Sequence, residues 1–265
     1  MDSKQRHEAQ VDPAILETFR NIQLELKEKL VFPNEKDIIN EKDIKYVGAL
    51  DISFSQKVPD MAVVVFVVYD YHQFISRPKK ITPVYTDNMQ VEMTVPYIPG
   101  YLAFREVPHY INMLTRLKMN KPEFYPQLLL IDGNGILHTH QFGCACHLGA
   151  ITDLITIGIS KTFFNIDGLY EDLIKEQFMK QCSKKGDHLD IVGNSGKIWG
   201  CALKTTDEKS KTCVYISVGN KININSAMQI VKNTCLYKYP EPIRVADLTG
   251  RDIIRKLDAP QKKNL

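Results

Sequence analysis

The feature that most constrains this chain is the run Leu128 to Ile131 and the carboxylate that ends it. Four consecutive apolar residues without polar alternation are the pattern of a strand buried on both faces, at the centre of a sheet. Asp132 closes the run, and Gly133, Asn134 and Gly135 turn the chain sharply where the charge emerges. A buried strand that delivers an Asp into a glycine turn can hold a metal ligand on a rigid support. For an isolated strand the plainer reading is an Asp that caps its turn, so the company this carboxylate keeps must decide.

Upstream, Ile15, Leu16, Phe19, Ile22, Leu26 and Leu30 recur at helical spacing behind Asp12 and Pro13, which predicts an amphipathic, structural helix over 13–30. Segments 45–55, 61–71 and 81–93 read as strands joined by hairpin-sized connections, an antiparallel meander. A helix over 107–117, the buried strand, a helix over 142–153 and a strand over 155–159 follow. Further on, 174–182 and 225–235 read as helices and 197–203 and 212–218 as strands, with Trp199 in the core. Segment 204–211 reads as a solvated hairpin loop whose Lys209 and Lys211, like Lys184 and Lys185, are suited to a phosphate backbone. Residues 1–11 and the stretch from about Arg251 onward, with Lys256, Lys262 and Lys263, read as mobile tails. The pattern is that of an α/β protein: a central mixed sheet with antiparallel first strands, flanked by helices. No internal repeat or low-complexity linker divides residues 1–265, which predicts one domain.

With 44% hydrophobic residues, a chain of 265 can bury a sizeable core. The formal net charge of +3 is too mild to announce nucleic-acid binding by itself. Six cysteines without a CxxC pair fit reduced thiols, and Cys144 and Cys146 lack zinc spacing. The first residues carry no apolar stretch, and the longest apolar run, Met61 to Tyr69, is too short to span a bilayer, so a soluble intracellular protein is expected.

Two further features bear on Asp132. Asp51 interrupts an otherwise apolar strand, and an unpaired buried carboxylate costs several kcal/mol unless a metal, a cation or hydrogen bonds compensate it. If its strand runs beside Leu128 to Ile131, Asp51 and Asp132 converge, and an all-oxygen donor set suits magnesium or manganese. Two separate strand acids satisfied by local donors is the competing reading. Secondly, Pro96 and Pro99 bracket Tyr97 and Ile98, and Gly100 releases the chain toward a helix. A stiff aromatic tip of this kind can wedge against nucleobases, or can simply be a structural turn. Glu106 follows, just ahead of Pro108, where a carboxylate could complete a metal site.

Together, VGALDISFS at 47–55, VPYIPGYLAFREVP at 95–108, DGNGILHTHQFGCACHLG at 132–149, GISK at 158–161 and SVGNKININSA at 217–227 resemble, in order, the motifs of the endonuclease V family. The resemblance runs from about residue 12 to PEPIR at 240–244. It implies a ribonuclease H-like fold and a magnesium-dependent nuclease, with manganese able to substitute. Such enzymes hydrolyse the second phosphodiester bond 3′ to inosine or deoxyinosine, leaving 3′-hydroxyl and 5′-phosphate ends. The FREVP and PEPIR forms lean toward the eukaryotic, RNA-directed branch. The resemblance places the metal ligands on Asp51, Glu106 and Asp132, adds Lys161 as a catalytic cation, and gives His138 to metal or phosphate. It assigns the wedge to Pro96, Tyr97, Ile98, Pro99 and Gly100, and the inosine pocket to Leu102, Gly135, Gly143 and Cys144. A monomer acting on single-stranded RNA in cytoplasm, nucleus or nucleolus is expected, with deoxyinosine-containing DNA as the alternative substrate.

Two positions depart from the family pattern. Asn220 stands where the motif SxGHxxxLxxA has histidine, and it cannot carry a proton as an imidazole does. That motivates a rival expectation, a catalytically weakened reader of inosine-containing RNA with Asn220 on the substrate. His140 replaces the arginine of LHxRGFG, exchanging a permanent charge for a titratable one and predicting phosphate affinity that falls as pH rises through its titration.

Overall fold

The computed structural model describes residues 12–207 and 212–259. Its sheet is built on the β-branched run of the second strand. β1 (Tyr46–Phe54), β2 (Met61–Asp70) and β3 (Tyr85–Glu92) form the expected antiparallel meander. β4 (Leu128–Asp132) and β5 (Ile155–Ser160) join it parallel to β1, and β8 (Val214–Asn220), β7 (Ile198–Leu203) and β6 (His188–Val192) extend it antiparallel. The resulting eight-stranded order, β3-β2-β1-β4-β5-β8-β7-β6, keeps the most hydrophobic strands central, in a ribonuclease H-like arrangement.

Helices α1 (Pro13–Lys27), α2 (His72–Ser76), α3 (Leu102–Asn120), α4 (Cys144–Thr152), α5 (Glu171–Gln181), α6 (Ile224–Thr234) and α7 (Glu241–Leu257) flank the sheet. Alternation along the strands divides the core in two. Val107, Tyr110, Met113 and Leu117 of α3 lie with Leu50, Ile52, Phe66 and Ile131 on one face. On the other, Ile243, Ala246 and Ile254 of α7 join Ala49, Val63, Val65 and Leu130.

Three expectations need correction. α3 begins at Leu102, so Glu106 and Pro108 lie inside the helix rather than ahead of it. The imino ring costs one backbone bond, and the buried face of a 19-residue helix outweighs that. The stretch from Arg251 is no mobile tail up to Leu257: it is the second half of α7, held by Ile254 in the core and Gly250 against β1. Lys204 is only 4% exposed, so its end of the 204–211 segment is buried rather than solvated. Residues 1–11, Lys209, Lys211, Lys262 and Lys263 lie outside the described residues.

Candidate active site

Register sets the first two carboxylates side by side. Val47 to Leu50 pair in parallel with Leu128 to Ile131, so Asp51 falls level with Asp132, one step past the last pair. Neighbouring strands lie about 5 Å apart and equal register puts both side chains on one face of the sheet. Beyond that pair the strands part, and a crevice at the carboxyl ends of parallel strands is the usual ligand position in α/β sheets. Glu106 reaches the same edge from α3, on the opposite face, and is 8% exposed.

All three acids are held above the ordinary carboxylate range, first of all by burial. Burial, then the charges of Asp132 and Asp247, push Asp51 up to about 7. Burial, then Asp51 and Asp132, push Glu106 up to about 8, and its carboxylate has only long contacts, to Tyr110 Oη at 3.5 Å and Cys144 Sγ at 3.9 Å. Asp132 is raised too, chiefly by burial, with Lys161 opposing: the Lys161 ammonium lies 3.2 Å from Asp132 Oδ2 and 4.7 Å over the Tyr239 ring. Among the described residues no three His, Cys, Asp or Glu side chains form a closed ligand cluster. The donor chemistry nevertheless fits a hard divalent cation, because the buried Glu106 and the half-buried Asp51 and Asp132 are all held above the ordinary carboxylate range, with too little positive charge beside them.

Asp247 is the residue the sequence reading missed. It comes from the first half of α7, between the PEPIR motif and the stretch from Arg251 expected to be a tail, where no element is expected, and its charge reaches both Asp51 and Asp132 beside the Arg251 guanidinium. The helical period joining Ala246, Gly250 and Ile254 was the signal that could have found it.

Beside the acids opens a cavity of about 620 Å³, lined by Asp132 and Lys161 at one edge and by Tyr97, Pro99, Leu102 and His140 elsewhere. The 96–100 loop divides its labour. Tyr97 is 53% exposed at the rim and Pro96 is also exposed, whereas Ile98 is 1% exposed and anchors the loop in the protein. Gly100, at φ +81°, sits so close to His140 that an added Cβ would stand 3.0 Å from its ring. Gly143 and Cys144 line the cavity as expected. Gly135 does not: its Cβ would fall 2.1 Å from the Val218 carbonyl oxygen, so glycine there lets the turn lie against β8. Ser217 Oγ accepts from Gly135 N–H at 2.8 Å, which explains that part of the SVGN motif as a brace for the turn. Asn134, read only as a turn residue, lines the cavity with its buried Nδ2 lacking a partner.

His138 also lines the cavity, and burial holds its ring down to about 4. Its Nδ1 accepts the His140 N–H at 3.2 Å, so the neutral ring carries its proton on Nε2 and offers a donor. His140 is held below its ordinary value, first by burial, and its Nδ1 lies 3.1 Å from Gln23 Oε1. The expected loss of phosphate affinity through its titration therefore moves to the acid side of the normal histidine range. Asn220 is not at the cavity. It pairs with Thr156 at the start of β5, three residues and about 10 Å along the strand from Ile159, the partner of Asp132. There its Nδ2 donates to the Gly149 and Leu154 carbonyls and its Oδ1 accepts from Val31 N–H, a structural clasp. Lys185 borders a separate small cavity with Arg77 and Lys232.

An eight-stranded ribonuclease H-like sheet with buried acids at the carboxyl edge of its central strands, beside an aromatic-rimmed cavity, defines the class. Residues 25–248 match the family described as Endonuclease V, and the chain belongs to that family. It is 36% identical over 213 residues to mouse Endonuclease V and 35% identical over 213 residues to the human protein, covering 80% of this chain in both cases. Those alignments span 61% of the mouse protein and 73% of the human one. A putative endonuclease of Schizosaccharomyces pombe is 35% identical over 248 residues, 90% of this chain and 93% of its own length. Among solved structures, the catalytic domain of human Endonuclease V superposes with TM-score 0.84 at 32% identity, covering 93% of this chain and 98% of that one. Ciona intestinalis Endonuclease V, in complex with a 23mer DNA containing an inosine followed by a ribo-adenosine, gives 0.84 at 30% identity over 93% of this chain and all of that one.

Proposed function

We propose that this chain is an endonuclease that cleaves single-stranded RNA at inosine, hydrolysing the second phosphodiester bond on its 3′ side. The observation that carries the reading is Asp132 with Lys161 at the edge of a cavity large enough for an extruded nucleoside, with Asp51 level with Asp132 on the neighbouring strand and Glu106 within reach of the charge of both. Asp51, Glu106 and Asp132 would hold a divalent cation, magnesium with manganese as substitute, which when bound lowers the pKa of water and stabilises charge on phosphate oxygens. The protein's own groups do the rest. Lys161 carries a positive charge beside Asp132, where the phosphate must lie. Tyr97 presents an exposed ring that fills the gap left by the extruded base, and single-stranded substrate keeps the cost of extrusion low. His138 Nε2–H and the unpartnered Asn134 Nδ2 are donors that can meet the acceptor edge of hypoxanthine. Gly143 lines the cavity while its backbone packs on the Asn134 carbonyl, 2.2 Å from where a Cβ would stand, and a pocket floor of this kind would discriminate against guanine by having no room for its extra amino group.

The rival reader hypothesis rested on Asn220, and that side chain is a clasp remote from the cavity. RNA is taken as the substrate on the FREVP and PEPIR forms of the sequence, and the Ciona relative's complex, a DNA with a ribo-adenosine following its inosine, is compatible with a ribonucleotide at that position. Matched RNA and DNA oligonucleotides, each with one inosine, test both points in magnesium. Cuts one nucleotide beyond the inosine's own 3′ bond, faster in RNA and absent with Asp132→Ala, are expected. Inosine-dependent binding without cleavage by the wild-type chain would overturn the nuclease reading.

A further inference from the structure

We infer that a second groove, between α1 and the loop around His140, binds the phosphodiester backbone on the 5′ side of the extruded inosine. This rests on the proposed nuclease reading and adds a strand path to it. The groove encloses about 360 Å³ and is lined by Arg20, Gln23, Leu24, Lys27, Tyr101 and His140, with Phe142 at its end. His140 and Phe142 line the large cavity too, so the groove adjoins it across these two side chains. Asp132 and Lys161 mark the edge of the large cavity where the bond to be cut must lie, on the 3′ side of the base. A strand that leaves by the His140 edge therefore leaves in the 5′ direction.

Charge identifies the occupant. Among the described residues no carboxylate lies within ion-pair distance of Arg20, Lys27 or Lys197, whereas Arg251, Arg255 and Lys256 on α7 are each paired with an aspartate. Lys27 spends one bond on Gln141 Oε1 at 3.1 Å, and Lys197 lies 4.1 Å over the Trp199 ring. Lys197 stands behind the groove rather than on it: burial and then the Lys27 charge hold its ammonium below its ordinary value, with Asp167 opposing. Arg20 and Lys27 both act on His140, and Arg20 on Tyr101. Arg20 and Lys27, without an ion-pair partner among the described residues, stand on a wall that also offers Tyr101 and Leu24, which suits phosphates with their sugars and bases alongside. His140 stays neutral and hydrogen-bonded to Gln23, so it shapes the floor while α1 supplies the charge.

The test compares two inosine RNAs with the same 3′ extension, one starting at inosine without a 5′ phosphate and one carrying several nucleotides 5′ to it. Binding to the full-length wild-type chain and to Arg20→Gln/Lys27→Gln is measured by fluorescence anisotropy in chelator at several salt concentrations. The 5′ extension should tighten wild-type binding about ten-fold. The double variant should lose most of that gain, with a salt slope shallower by about two, while binding the inosine-first RNA as wild type does. Equal weakening on both RNAs, an undiminished 5′ gain, or a loss that follows the 3′ extension instead overturns the inference. Arg20→Gln alone removes an exposed side chain with no hydrogen-bonded partner among the described residues, so half the effect in a normally folded variant serves as the folding control. Failure of the parent reading shows separately, as wild-type binding that is the same for inosine and for adenosine.

Discussion

Asp51 shows how the site trades stability for chemistry. Its carboxylate is buried beside Asp132 and Asp247, and only Lys161 and Arg251 oppose them. Asp51→Asn removes one of the repelling charges while keeping the shape. In chelator the variant should therefore be more stable than wild type by about 1 to 3 kcal/mol, several degrees in Tm, while losing cleavage. Magnesium should raise the wild-type Tm and leave that of Asp51→Asn nearly unmoved; thermal melts with and without the ion check both, and a destabilised variant in chelator would sink the argument. Asn134 makes the opposite kind of prediction. Its buried Nδ2 has no partner to lose, so Asn134→Ala should leave the Tm within about a degree and weaken inosine binding by ~10-fold, about 1.4 kcal/mol. A fall in Tm with unchanged inosine affinity would make Asn134 a turn residue after all.

At the scale of elements, α7 is where sequence and structure part. The first five strands, α4 and the aromatic loop were legible because buried β-branched runs, glycine turns and paired prolines are local signals. Asp51 and Asp132 stand out in the sequence as carboxylates in apolar strands, Glu106 by its place beside the aromatic loop and Lys161 only through the family resemblance, and their grouping comes from register and helix placement that no local pattern encodes. α7 was missed because GRDIIRKL is dense in charge, and its apolar period is visible only once Pro240 to Leu257 is taken as one unit. β6 was missed because only Leu189 and Ile191 of its five residues are buried. α7 approaches β1 closely only because position 250 is glycine: an added Cβ would lie 2.6 Å from Ser53 Oγ and 3.1 Å from Ser53 Cβ. Gly250→Leu should displace the helix at a cost of about 1 to 3 kcal/mol or more and carry Asp247 away from Asp51, lowering both Tm and kcat. Gly196→Leu, at a turn with open space around it but with φ +79°, should lower Tm through backbone strain alone and leave kcat unchanged, so the fall in kcat is the readout that separates the two variants.

For the whole molecule the two buried histidines and the buried acids set opposing dependences on pH. His147 is 4% exposed, edge-on to Phe104 at 4.8 Å and tilted against Phe142 at 5.6 Å, with Nδ1 lacking a partner. Burial is the sole cause that holds it down to about 4. In the unfolded chain the same ring titrates near 6.5. Between those values the unfolded state binds more protons, so this contribution is complete above about pH 6.5 and is lost as the pH falls toward 4. The span corresponds to about 3 kcal/mol from His147, and His138, also held down to about 4, adds a term of the same sign. Asp51 and Glu106 act oppositely: their raised values mean the folded state holds protons more tightly, so their stabilisation is greatest at acid pH and is lost as pH rises through about 7 and 8. A raw acid titration of the wild-type chain mixes these terms, and a variant separates them. His147→Leu keeps an apolar side chain of similar volume on Phe104 and Phe142 and cannot be protonated. The acids titrate alike in both proteins, so the difference in stability isolates the ring. By denaturant unfolding at pH 7.5, 6 and 5, the variant should gain on wild type as the pH falls, by about 1 to 2 kcal/mol at pH 5 relative to pH 7.5. A constant difference across that range would mean that His147 is as neutral in the unfolded chain as in the folded one, or protonated in both, and that its burial carries no pH dependence.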